Sequence, residues 1–205
     1  LFVTFGTSWI YTLNESGDIV ANCHKLPSTL FTRRQALWSE IADRWRDALD
    51  RLAAINPDLK VWLTVSPVRH LSDGAHNNQL SKAHLLLAAE ELLSHPSVAG
   101  YFPAYEIFMD DLRDYRFFAS DMVHPSETGI DYTWEKFVSV FIDSHVLRLW
   151  NEAARITRAM AHKVSGGRKE TAPFATAMLE RIADLKSKAP FMDLAAEEEY
   201  FRHLQ

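Results

Sequence analysis

An α/β fold with a parallel sheet, continued by a helical C-terminal segment, is predicted by three features of the sequence. Short β-rich apolar runs at residues 1–5 and 61–65 flank residues 33–54, where Leu37, Ile41, Trp45, Leu49 and Leu52 recur at helical spacing. Strand, helix and strand joined by short links are the mark of a parallel βαβ unit. A second helical pattern at 77–93 leads into a third apolar run, 97–108, and the chain from residue 145 onward is helical in pattern.

Composition narrows the class. With 205 residues, 47% hydrophobic and 24% charged, the chain is expected to be a soluble globular domain, residues 1–144, with an appendage, residues 145–205. A net charge of -5 supplies no positive field for phosphate, so nucleic acid is not expected as a partner. No apolar run reaches the roughly 18 residues of a membrane span, so no membrane partner is expected either. Cys23 is the single cysteine, which excludes an internal disulfide framework and suits a reducing, cytoplasmic setting. The chain opens with Leu1 inside an apolar run, without an initiator Met, and is expected to be a piece of a longer protein.

Each element has its own signal. Residues 1–5 run into Gly6-Thr7-Ser8, a turn at the end of a buried strand. Residues 9–13 stay apolar, 14–18 hold a turn with Gly17, and 19–21 form a short strand ending in Asn22-Cys23-His24-Lys25. Those four residues either line a site or satisfy loop backbone. Thr32 is placed to cap the helix at 33–54, which Asn56-Pro57-Asp58 stops; Ser66-Pro67 ends the next strand. Arg69 and His70 follow directly, polar residues at a strand end or plain surface groups. The helix at 77–93, with Leu80, Leu87 and Leu92, reads as a crossover covering the sheet, and Pro103 interrupts the third apolar run. Ser126 caps a helix carrying Tyr132, Trp134, Phe137 and Phe141; Ser165-Gly166-Gly167 ends the helix begun at 145, and Thr171 caps the next. The Met and Phe positions of these last helices suit a core or an interface, and no cofactor or metal site is expected.

Within the loop 110–126, Asp121 and His124 stand three residues apart. A histidine works as a general base on a hydroxyl when a carboxylate fixes its tautomer and stabilises the imidazolium, and a short loop allows this spacing to do so. The alternative gives Asp121 only local backbone bonds beside the capping Ser126.

Six segments in order carry a family resemblance: Phe5-Gly6-Thr7-Ser8-Trp9; Asn22-Cys23-His24-Lys25-Leu26-Pro27; Ser66-Pro67-Val68-Arg69-His70; Asn78 with Ser81-Lys82-Ala83; Tyr101-Phe102-Pro103-Ala104-Tyr105-Glu106; and Leu112 to Phe117 with Asp121-Met122-Val123-His124-Pro125. Over about residues 1–141 the chain resembles the GSCFA family, itself similar to the SGNH hydrolases. The resemblance implies a flavodoxin-like three-layer α/β/α domain and esterase or O-acyltransferase chemistry on a small-molecule or carbohydrate ester, with Asp121 and His124 as orienter and base. The Gly-Ser-Cys-Phe-Ala segment that would bring the serine is absent, and with it two strands of the implied five. Gly6-Thr7 then corresponds to the third SGNH block, with Ser8 where that block has Asn. Side-chain oxyanion stabilisation, typically about 3 to 4 kcal/mol per donor, is expected from Asn22, with His24, Arg69 and His70 lining the same sheet end. A noncatalytic glycan-binding or scaffold module is the competing expectation. Self-association through the first strand's edge or the C-terminal helices is expected as well.

Overall fold

The computed structural model describes the chain except His24 and residues 162–167, and of residues 168–170 the backbone only. It forms two compact units, Leu1–Phe137 and Val138–Gln205.

The first unit holds a parallel sheet made of β1 (Phe2–Phe5), β5 (Val61–Val65) and β6 (Val98–Tyr101), in the order β1-β5-β6. Phe2 stands opposite Trp62 and Phe5 opposite Val65. Alternation along each strand decides what faces what. Phe5, Val61, Leu63 and Val65 point into one core with Ala42 and Leu49 of α1 (Trp38–Ile55) and Leu85, Ala88, Ala89 and Leu92 of α2 (Ala75–Leu92). Each Val or Leu removed wholly from water there contributes about 1.5 to 3 kcal/mol. Phe2 instead meets Phe137 of α4 (Glu127–Phe141), ring centroids 5.1 Å apart, and Phe102 meets the same ring at 5.5 Å. Gly100 of β6 lies against Trp62, where an added Cβ would come within 2.5 Å of the indole.

The parallel order matches the expectation, but three elements differ from it. Residues 33–35, expected to open a helix capped by Thr32, belong instead to β4 (Phe31–Gln35), which pairs antiparallel with β2 (Trp9–Leu13); β2 also pairs with β3 (Ile19–Val20). The pairing outweighs the helix propensity of Arg33, Arg34 and Gln35, because Arg33 stacks its guanidinium 4.0 Å over Trp9 and ion-pairs with Asp73 at 2.7 Å. The excursion closes where the Ala36 amide donates to the Ser8 carbonyl, and Arg34 grips Glu40 in the first turn of α1 through two 2.8 Å bonds.

The third strand ends at Tyr101 rather than running to 108. Pro103 breaks it, and a short turn, α3 (Ala104–Glu106), passes into a π-helical turn, Ile107–Asp111. The loop bearing Asp121 therefore follows a helical turn, not a strand. In α2, Leu80 and Leu87 are exposed; the buried stripe is Asn78, Ser81, Lys82, Leu85, Ala88, Ala89 and Leu92.

The second unit is built from α5 (Ser144–Ala161), α6 (Arg168–Lys188) and α7 (Ala195–His203) around Leu149, Ile156, Ile182, Leu185 and Phe201. Thr171 does not cap α6: it lies inside the helix, and its hydroxyl donates to the Leu204 carbonyl at 3.1 Å. The expected stop at Ser165-Gly166-Gly167 lies outside the described residues. No described helix is long and apolar enough to cross a membrane.

Candidate active site

The loop between the π-helical turn and α4 is closed on itself. Phe118 and Pro125 form an antiparallel bridge, the Ala119 amide donates to the His124 carbonyl at 2.8 Å, and the Ser126 amide donates to the Phe117 carbonyl at 2.8 Å. Met122 adopts a left-handed conformation, φ 61°, which turns the chain back so that residue 124 returns over residue 121. Asp121 Oδ1 accepts the amides of Val123 and His124, each at 2.9 Å, and Oδ2 lies 2.6 Å from His124 Nδ1. One carboxylate oxygen thus serves the local backbone and the other faces the imidazole. Ser126 also caps α4, its hydroxyl accepting the Gly129 amide at 3.3 Å.

This arrangement fixes the charge state of the carboxylate. The His124 ring and the two amides hold the Asp121 carboxyl down at about 2, so it is ionised across the physiological range. An ionised acceptor on Nδ1 selects the tautomer with its proton there and leaves Nε2 unprotonated. The His124 side chain is 65% exposed, so an incoming hydroxyl reaches it without rearrangement of the core.

A second cluster ties the carboxyl ends of β1 and β5 together. Lys82, 1% exposed, donates from Nζ to the Gly6 carbonyl at 2.7 Å and the Ser66 carbonyl at 2.6 Å. Burial pushes its ammonium down to about 8, although both carbonyls favour the charged form. Ser81 Oγ accepts the Ser8 amide at 2.8 Å and shares a hydrogen bond with Thr7 Oγ1 at 3.1 Å. Asn78 Oδ1 accepts the His70 amide at 3.0 Å. One polar face of α2 thus sets Gly6, Thr7, Ser66 and His70. A Cβ at Gly6 would meet nothing within 4 Å, and the open space there borders a cleft of about 250 Å³ with Phe5, Ile10 and Trp45 on its walls.

The expected site residues fall into groups. Gly6, Thr7, Arg69 and His70 stand at the ends of β1 and β5. Arg69 also reaches the base-bearing loop, its guanidinium 4.8 Å over Phe118 and 5.7 Å from Tyr115. Asn22 is carried beyond β3 on the antiparallel sheet, exposed, and His24 lies outside the described residues. Ser8 is 1% exposed, and its hydroxyl has no partner among the described residues. Asn78, Ser81 and Lys82 stand in one of the six resembling segments without a role assigned from the sequence; they hold the strand ends. Their signal was three polar residues in phase with the apolar stripe of α2. Among the described residues no His, Cys, Asp and Glu cluster could hold a metal ion.

A parallel α/β unit with a carboxylate-supported imidazole on the loop beyond its last strand is the class these features define. The sequence profile of the GSCFA family matches residues 1–137, which are also the first compact unit, and the chain belongs to that family. No curated protein and no solved structure matches it.

Proposed function

We propose that this GSCFA protein is a serine ester hydrolase or O-acyltransferase of SGNH type, acting on acylated carbohydrate. The observation that supports it most is the 2.6 Å contact from Asp121 to His124 Nδ1, with Nε2 left to take a proton. Nε2 removes the serine hydroxyl proton as Oγ bonds to the acyl carbon and the carbonyl electron pair moves onto oxygen. Collapse of this tetrahedral species breaks the ester C–O bond, and the leaving alkoxide takes the proton back from Nε2. Water or an acceptor hydroxyl then repeats the sequence on the acyl-enzyme, releasing the serine. Gly6 and Thr7, at the end of β1, are the groups we assign to the oxyanion.

The Ser8 hydroxyl is buried, so we assign the nucleophile to a serine other than Ser8. The test is p-nitrophenyl acetate turnover by the chain as given and by one extended upstream through the Gly-Ser-Cys-Phe-Ala segment that the resemblance implies. Only the extended chain is expected to turn over, and His124→Ala is expected to abolish its activity with an unchanged thermal midpoint. Equal serine-reagent-sensitive turnover in both chains would place the nucleophile within residues 1–205 and make Ser8 the suspect. Full activity of both His124→Ala and Asp121→Asn in the extended chain would assign the unit to binding instead.

A further inference from the structure

A cleft of about 150 Å³ lies between the segment after β5, the start of α2 and the turn after β6, bordered by Arg69, Asn78, Gln79, Tyr105 and Met109. Its hydrogen-bonding groups are unequally committed. The Asn78 side-chain oxygen already accepts the His70 amide, and the Gln79 side-chain oxygen accepts the Tyr105 hydroxyl at 2.9 Å. Both side-chain amide acceptors are therefore engaged, while each amide retains its NH2 donors. Arg69 is half-buried and lies against the rings of Tyr115 and Phe118; among the described residues it has no carboxylate partner. Two carboxylates, Glu106 and Asp110, stand close to Tyr105. Glu106 is held by the Tyr101 hydroxyl at 2.9 Å, Asp110 is exposed, and neither borders the cleft.

A recess that offers N–H donors and an unpaired guanidinium, with its amide oxygens in use, suits an oxyanion better than a neutral polyol, because a polyol needs acceptors for its own hydroxyls. A guanidinium presents a planar fork with one positive charge, which a carboxylate matches in both geometry and charge. The same Arg69 touches Phe118, whose bridge partner Pro125 follows His124 directly. An anion held by Arg69 is thus anchored to the loop that carries the base.

We infer that this cleft binds a carboxylate, so that the substrate is an ester of an acidic sugar whose carboxylate pairs with Arg69 and takes further bonds from Asn78 and Gln79. Assigning the ligand as an ester substrate rests on the hydrolase or acyl-transfer reading; carboxylate binding by itself does not.

The experiment is calorimetric titration of the chain with glucuronate, glucose and inorganic phosphate, repeated with Arg69→Gln and with Gln79→Met, thermal midpoints confirming that each variant is folded. Glucuronate is expected to bind at least tenfold more tightly than glucose or phosphate. Arg69→Gln should erase that preference, and Gln79→Met, a change at an exposed position, should weaken glucuronate severalfold. Equal binding of glucose and glucuronate, no glucuronate binding, or an undiminished preference in Arg69→Gln would overturn the inference. Phosphate binding as tight as glucuronate would overturn the carboxylate assignment in favour of a phosphoryl group. Failure of the two readings can be told apart. Arg69-dependent glucuronate binding in a protein whose His124→Ala variant keeps full acyl turnover would sink the hydrolase reading alone, whereas absent binding with His124-dependent turnover would sink the cleft alone.

Discussion

Lys82 shows at the scale of one residue how a strand end is held in place. A lysine buried to 1% exposure is held by what its ammonium does for others: two backbone carbonyls, Gly6 and Ser66, lie beyond the parallel ladder and take their hydrogen bonds from it. Leaving either carbonyl unpaired in the interior would cost about 1 to 3 kcal/mol. Burial of the charge opposes this and lowers the ammonium from 10.5 to about 8. Between those values the unfolded chain binds a proton that the folded chain has released, so this group adds stability as pH rises through the window, and below about 8 the full cost of the buried charge is present. The swing is about 3 kcal/mol at most, from the difference between 10.5 and about 8. We predict that the stability of the wild type minus that of Lys82→Met, measured by urea unfolding, rises by about 1 to 3 kcal/mol across that window. A difference independent of pH would mean that Lys82 titrates in the native state as it does in the unfolded chain.

Among the elements, α4 shows packing overriding propensity. Gly129 sits inside this helix, where alanine would ordinarily stabilise by about 1 kcal/mol. A Cβ at that position would come 2.7 Å from the Phe108 ring and 2.8 Å from the Phe117 carbonyl oxygen, and the second of these is backbone held by the Ser126 amide. Gly129→Ala is therefore expected to destabilise by about 1 to 3 kcal/mol in chemical unfolding, the range for an overpacked site. A gain of stability would show that the turn yields. The same contest decided which elements were legible in the sequence. The parallel strands at 2–5 and 61–65 were readable because their residues alternate or run apolar, and α1 was readable over Ile41, Trp45 and Leu49. β4 was not, because Thr32-Arg33-Arg34-Gln35 has no apolar alternation; its pairing comes from Trp9 to Leu13, far off in sequence, and from Arg33 stacking on Trp9. The buried face of α2 is not legible for a related reason. Its N-terminal half buries Asn78, Ser81 and Lys82, which serve the strand ends, so the hydrophobic pattern drew attention to Leu80 and Leu87 on the solvent side. Asp121 and His124 were legible as a pair because their interaction is local, whereas the role of Arg69 depends on Phe118 and Tyr105, which only the fold brings near it.

For the molecule as a whole, every described site residue belongs to the unit Leu1–Phe137, the span that the family profile matches, and Val138–Gln205 has a helical core of its own. The function proposed for the first unit depends on one state of one ring: His124 must carry its proton on Nδ1, toward Asp121, and keep Nε2 unprotonated. The most direct measurement is a nitrogen–proton NMR correlation of the histidine rings in this chain at a pH of about 9, where an imidazole is neutral, with His124 assigned by comparison with His124→Ala. The geometry predicts an Nδ1–H tautomer with its proton shifted strongly downfield by the short bond to the carboxylate, and a return to mixed tautomers in Asp121→Ala. A His124 ring protonated on Nε2, or a tautomer unchanged by removal of the Asp121 carboxylate, would contradict the assignment of this pair as a supported base.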